Sequence, residues 1–310
     1  MSTHSMEATL SPHSTTPPSL PGMDDPSGSA DERVERPSVD DLLDRNAKRR
    51  ICVVIGAAGW GKTTAVEVWS RDRPTAWLRY EHHEGDADRL LAALFGALQA
   101  HVSGPAPMRG TAAGDRDRVG SSVAAACAWL RTVLSKDLTL VLDDLHGLQP
   151  DSDAAAIVES LCRRAPDRLH LVLISRRELP FSLERLRGRG FVTEIHAPDL
   201  ALDVADVEAL LRKTVGKDPS GLSRRVWKHT AGWPVAVHCA VEMLRCVGVD
   251  QRLAAVEQLS QPGQRFHSYL AEEVIGPAPE WVQRLLRRLA IFGEVRSATE
   301  IVREPHDARA

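Results

Sequence analysis

Gly56-Ala-Ala-Gly-Trp-Gly-Lys62-Thr63-Thr64 decides how this chain reads. The stretch fits G-x-x-x-x-G-K-[ST], the pattern of a phosphate-binding loop. It follows Ile51-Cys-Val-Val-Ile55, an apolar run that reads as a buried strand. It precedes Thr64-Ala-Val-Glu-Val-Trp69, which reads as a helix start. Gly56, Gly59 and Gly61, with Ala57, Ala58 and Trp60 between them, let backbone N–H groups close around phosphate oxygens. The helix N-terminus adds its partial positive charge. Lys62 is expected to bridge β- and γ-phosphates and Thr63 to hold Mg²⁺, with Thr64 closing the loop.

Such a site also needs a carboxylate for the metal and a group that orients the attacking water. Leu138-Thr-Leu-Val-Leu142-Asp143-Asp144 supplies both at a strand's C-terminal end, where ligands sit in open α/β sheets. Asp143 is the expected Mg²⁺ ligand, through water, and Asp144 the candidate water-activating carboxylate. A third apolar run, Leu169-His-Leu-Val-Leu-Ile174, ends in Ser175-Arg176-Arg177. If that strand lies beside the loop's own strand, Arg176 falls near the γ-phosphate and reports whether it is present.

The rest of the chain bounds these readings. Its 310 residues are enough for one large or two ordinary domains, and 43% apolar content allows a sizeable core. A net charge of −3 argues against a chain built to coat nucleic acid. No apolar run approaches the ~18–20 residues of a membrane span, so no membrane partner is expected. The N-terminus lacks a basic stretch followed by an apolar one, so no secretory signal is expected. Cys52, Cys127, Cys162, Cys239 and Cys246 lie among apolar residues without CxxC spacing. They read as buried free thiols of a cytoplasmic protein. His82 and His83 lack further ligands nearby in sequence and read as loop histidines rather than a metal site.

Residues 1–33 are rich in Ser, Thr, Pro and Gly and are expected to be a disordered tail. Strands are expected over 51–55, 75–80, 139–142, 169–174 and 191–196. An amphipathic turn is expected through Leu42 and Leu43. Apolar stripes at i, i+3, i+4 spacing mark helices through Leu90–Leu98 positions, through Val123 to Leu134, and through Ile157 to Cys162 after Pro150-Asp-Ser152. Residues 103–120 read as a surface loop. This alternation predicts an α/β fold, a parallel sheet of about five strands with helices on both faces, over 34–198. Beyond His196 only helical patterns follow, predicting an all-helical domain over 199–260 and a further helical region over 261–310.

Together these residues resemble the STAND class of P-loop NTPases, specifically the ATPase module of MalT-like and LuxR-type bacterial transcription regulators. The resemblance runs from about Val34 to about Val295. It rests on Val34-Glu-Arg36-Pro37, the loop with Trp69, Ala76-Trp-Leu78, Leu142-Asp-Asp-Leu-His146 and Ser175-Arg176 with Leu186-Arg187 and Gly190. It continues through Asp199-Leu200, Ala209-Leu-Leu211, Gly232-Trp-Pro234 and Phe266-His-Ser-Tyr269-Leu270. The resemblance implies ATP or ADP with Mg²⁺ held between the α/β and helical domains. It implies that ADP keeps a closed resting state, and that ATP with an inducer permits opening and self-association. It further implies nucleotide contacts from Arg36 and Pro234, and the start of a winged-helix region over 261–310.

The chain departs from that pattern in three places. Trp60 stands where the family usually has Phe. Glu81-His-His-Glu-Gly-Asp86 replaces an acidic, Asn-containing segment. The sequence stops at Ala310, before any sensor repeats or DNA-reading helix-turn-helix, so no direct DNA contact is expected. The expected function is an ATP-binding, slowly hydrolysing switch, and Asp144, shorter than a Glu, is compatible with slow turnover. The alternative is an interaction module or truncated remnant that holds nucleotide and co-assembles with a partner regulator. A small-molecule kinase is a third reading, disfavoured by the long helical second half.

Overall fold

The fold is seen in a computed structural model that describes residues 36–80, 87–102, 116–216 and 221–257, with a few isolated positions beyond. The expected tail over 1–33, the 81–86 segment with its two histidines, and nearly all of the expected winged-helix start over 261–310 lie outside the described residues. Five strands form one parallel sheet: β1 (Ile51–Ile55), β2 (Thr75–Arg79), β3 (Leu138–Asp143), β4 (Leu169–Ser175) and β5 (Val192–His196). The order across the sheet is β2-β3-β4-β1-β5. Each strand expected from the sequence is present within a residue or two.

Interleaved with the strands are α1 (Pro37–Ala47), α2 (Lys62–Ser70), α3 (Ala87–Gln99), α4 (Arg116–Val133), α5 (Asp153–Arg164) and α6 (Glu184–Arg187). Alternate side chains of β1 face opposite layers, as the period of two requires. Ile51, Val53 and Ile55 pack with Leu91, Leu94, Cys127, Leu130 and Ile157 of α3, α4 and α5. Cys52 and Val54 pack with Val39 and Leu43 of α1 and Val66 and Trp69 of α2. All five residues of β1 are buried, which is why it reads as a continuous apolar run. The edge strand β5 carries Thr193, Glu194 and His196 and buries only Ile195. Ser152 caps α5 by accepting the Ala155 N–H at 3.1 Å, as the Pro-Asp-Ser stretch suggested.

After β5 come α7 (Val204–Thr214), α8 (Leu222–Thr230), α9 (Pro234–Arg245) and α10 (Arg252–Glu257). They share a separate core in which Val207, Leu211, Val226, Val237, Val241 and Leu244 meet. This helical region follows the sheet directly.

The structure corrects several expectations. The turn through Leu42 and Leu43 is an 11-residue helix, begun at Pro37, whose fixed φ suits a first turn. The loop expected over 103–120 does not reach residue 120, because α4 already runs from Arg116; Gly120 inside the helix hides the apolar period. The helix after the loop begins at Lys62 rather than Thr64. Cys52, Cys127 and Cys162 are buried, but Cys239 is half-buried and Cys246 is exposed at the end of α9. Among the described residues, no helix is long and apolar enough to cross a membrane.

Gly232 joins the helical region to its own entry segment. Its φ is +72°, its carbonyl accepts the Leu202 N–H at 2.8 Å, and a Cβ there would collide with the Leu202 carbonyl. Both strain and collision penalise any side chain. Gly232→Ala is therefore expected to lower unfolding free energy by about 2 kcal/mol or more in urea denaturation; an unchanged midpoint would contradict this joint.

Candidate functional site

The site lies at the C-terminal ends of β1, β3 and β4, where the parallel strands open into loops. β4 is the direct neighbour of β1, so Ser175 pairs with Ile55 and its carbonyl accepts the Gly56 N–H at 3.2 Å. The loop over 56–61 turns through Gly59 and Gly61, at φ +77° and +68°, which only glycine adopts without strain. α2 starts immediately after it, so its first N–H groups face the loop.

Lys62 is almost fully buried and its Nζ donates to the Ala57 carbonyl at 3.0 Å. Burial pushes its amine down to about 8, helped by the nearby Arg176 guanidinium and opposed by Asp143 and Asp144. Thr63 Oγ1 lies 3.0 Å from Asp143 Oδ2 and donates to it. That pair joins the first turn of α2 to the end of β3 and sets a hydroxyl beside a carboxylate, the hard oxygen donors that Mg²⁺ takes. Asp143 is completely buried. Burial raises its pKa, and so does Asp144; the Asp144 N–H, the Thr63 hydroxyl and Arg79 work the other way. Asp144 adopts φ +59°, its N–H donating to Asp143 Oδ1 at 2.8 Å. Its carboxylate is about one-third exposed, in contrast to its buried neighbour.

Arg176 is exposed just past β4, and its charge lowers the pKa of Lys62 and, after burial, of His146. It thus opens on the same mouth as the loop and the acidic pair. Lys62, Thr63, Asp143, Asp144 and Arg176 are therefore brought together.

Two further residues are assigned only by the resemblance. Pro234, at the first turn of α9, lies 3.6 Å from the point where a Cβ on Gly61 would stand. Next to it the Val235 N–H donates to the Gly59 carbonyl at 3.1 Å, and Trp233 faces Trp60 with ring centroids 6.2 Å apart. The helical region thus touches the phosphate-binding loop itself. Arg36 is engaged within the protein. Its guanidinium donates to Asp206 Oδ2 at 3.2 Å and to the carbonyls of Leu200 and Ala201 at 3.1 and 2.7 Å. All three nitrogens are engaged in tying the start of α1 to the entry of α7, where Asp206 also forms a capping box with Asp203.

Sequence reading missed Arg79 and gave His146 no role. Arg79 ends β2 within 3.7 Å of Asp143 Oδ2 and 3.6 Å of Asp144 Oδ2. His146 Nδ1 lies 3.6 Å from Asp144 Oδ1. A basic residue closing a strand next to the one ending in Asp-Asp was the available signal for Arg79. His146 sits two residues past Asp144, within the quoted stretch.

Phosphate oxygens favour a charged amine, so a nucleotide that engages Lys62 raises its pKa back toward the ordinary lysine value. Binding then takes up a proton at pH values above the free value of about 8, and none well below it, where the amine is already charged. Calorimetric titration with nucleotide in two buffers of different ionisation heat is expected to show this uptake at about pH 9 and to lose it at about pH 6.5. Equal uptake at both values would place Lys62 away from the phosphates.

Residues 35–174 match the family model described as an AAA ATPase domain. The chain is 24% identical over 258 residues to the HTH-type transcriptional regulator MalT of Yersinia enterocolitica, covering 81% of this chain and 28% of that protein. It is 25% identical over 261 residues to MalT of Serratia proteamaculans, covering 83% of this chain and again 28% of the relative. The chain thus spans little more than a quarter of the length of these curated relatives. Among solved structures, the Walker-type ATPase of Pyrococcus abyssi superposes with a TM-score of 0.53 at 12% identity, over 87% of each chain, a likeness of fold. Taken with the loop, the acidic strand end and the five-stranded parallel sheet, these matches identify an ATP-binding P-loop domain of the AAA type, distantly related to MalT-type regulators.

Proposed function

We propose that this chain is a nucleotide-operated switch of the STAND kind, acting within signal transduction that controls transcription. The observation that carries the reading is the bond from the Val235 N–H to the Gly59 carbonyl. It ties the loop that receives phosphates to the first turn of a helix in the helical region. A nucleotide that reshapes the loop must strain or release that bond, so occupancy at the sheet becomes a change in how the helical region is held. The domain limits that go with this reading are 34–198 for the α/β part, 199–260 for the helical part and 261–310 for a winged-helix start. The distant relationship to MalT, whose name describes a transcriptional regulator, supports the assignment to that kind of pathway.

In this reading the loop amides and Lys62 hold the phosphates. Thr63 and Asp143 would hold Mg²⁺, which would supply charge neutralisation at the phosphates. Asp144 orients the attacking water and takes its proton, so that ATP yields ADP and phosphate. Arg176 engages the γ-phosphate and lets the site tell ATP from ADP. Pro234 packs on the nucleotide from the helical side. Arg36 acts at one remove, by holding the entry of α7 in place. ATP must favour the open state by its differential contacts, and Arg176 is the contact that ADP lacks.

The second reading is a nucleotide-holding interaction module without appreciable turnover. It draws on the guanidinium of Arg79, 3.6 Å from the carboxylate that hydrolysis would need free.

Asp144→Asn tests the choice. The switch reading expects single-turnover hydrolysis to fall at least about tenfold while MgATP affinity changes little, the signature of a general base. Turnover equal to the wild type would remove Asp144 from the chemistry. A wild type that binds MgATP and releases no phosphate would favour the interaction module.

A further inference from the structure

Arg79 has a place in the site that neither phosphate binding nor the fold requires. Its residue pairs in register with Asp143 across β2 and β3, and the next N–H, that of Tyr80, donates to the Asp143 carbonyl at 2.8 Å. The backbone therefore fixes the root of Arg79 beside the acidic pair. From there its Nη2 lies 3.7 Å from Asp143 Oδ2 and its Nε 3.6 Å from Asp144 Oδ2. These are ion-pair separations, longer than a good hydrogen bond. The side chain is about half exposed, at 47%, whereas Asp143 is fully buried. A half-exposed guanidinium thus spans two adjacent carboxylates at ion-pair distance.

Two neighbouring carboxylates repel, and one of them is out of water, so the pair needs a positive charge. Lys62 contributes, but its Nζ is committed to the loop and would turn to phosphate when nucleotide binds. Mg²⁺ on Thr63 and Asp143 would bring a double positive charge within a few ångströms of Arg79. Two cations cannot share one carboxylate without mutual repulsion, and the exposed one can swing away at little cost.

We propose that Arg79 is the resident counter-ion of the Asp143–Asp144 pair, competing with Mg²⁺ and so setting the Mg²⁺ concentration at which the site accepts nucleotide. The inference rests on the nucleotide reading above. It makes Arg79 a positioning residue that tunes the threshold of the switch rather than a group that touches the reacting atoms. While magnesium is scarce, the acidic pair stays neutralised and the loop stays closed on itself through Lys62. When Mg-nucleotide arrives, Arg79 is displaced toward solvent.

The test is equilibrium binding of ATP at a fixed, subsaturating concentration, titrated with Mg²⁺. Arg79→Gln is expected to lower the half-saturating Mg²⁺ concentration by roughly tenfold, the scale of one removed charge near a divalent ion. Arg79→Lys, which keeps the charge, is expected to stay within about twofold of the wild type. Arg79→Met, which keeps the apolar stem without the charge, should behave as Arg79→Gln and serves if that variant folds poorly. Arg212→Gln, removing an exposed positive charge on α7, controls for net charge and should leave the requirement unchanged. An unchanged or higher Mg²⁺ requirement in both neutral variants, with normal binding in the wild type, would overturn the proposal. A wild type that binds no ATP at any Mg²⁺ concentration would overturn the nucleotide reading, and this inference with it.

Discussion

Everything at the site depends on where β1 lies. Its five residues are buried between two parallel neighbours, paired with β4 from Ile51↔Leu171 to Ile55↔Ser175 and with β5 from Ile51↔Val192 to Ile55↔His196. A strand held on both edges and both faces cannot slip, because a one-residue shift would turn Cys52 and Val54 into the wrong layer. Its end is therefore a fixed point. The loop that leaves it must turn within a few residues to start α2, and Gly59 and Gly61 permit that turn. β4 brings Arg176 to one side, and β3, one strand further, delivers Asp143 within reach of Thr63. The five chemical groups converge because three strands end at one edge of a sheet whose register is set by core packing.

The second constraint is the way the helical region is tied on. Arg36, Asp206 and the carbonyls of Leu200 and Ala201 form one fastening, about the entry of α7. The Val235–Gly59 bond, the Pro234–Gly61 approach and the Trp60–Trp233 pair form another, on the loop itself. The first is charged and largely shielded from solvent, and it suits a permanent attachment. The second includes a backbone hydrogen bond and apolar contacts worth little individually, and it lies where phosphate would act. The switch proposed above would need one firm and one yielding connection, and these two fastenings could serve as that pair.

Much of this was legible in the sequence, for physical reasons that can be named. β1, β3 and β4 are buried on both faces, so their apolar runs stood out without alternation. The loop was legible because glycine, lysine and a hydroxyl at fixed spacing have few other uses. α1 shows only as a turn in the sequence, since its apolar positions are few and Asp40, Asp41 and Asp44 dilute them. The early part of α4 is not legible as helix because Gly120 and the polar residues around it carry little period. The three acceptors of Arg36 come from residues some 165 positions away, which no local pattern reveals. Arg79 went unread for the same reason: its partners are set by strand register, and register is a property of the sheet.

In the proposed function, nucleotide is held between the phosphate-binding loop and the start of α9. Amide hydrogen exchange, compared between free protein and protein saturated with Mg-ADP, tests it directly. The account predicts added protection in two separate segments, the loop over 56–64 and the helix start over 232–237. Protection confined to the loop, with the helix start exchanging as in the free protein, would contradict it.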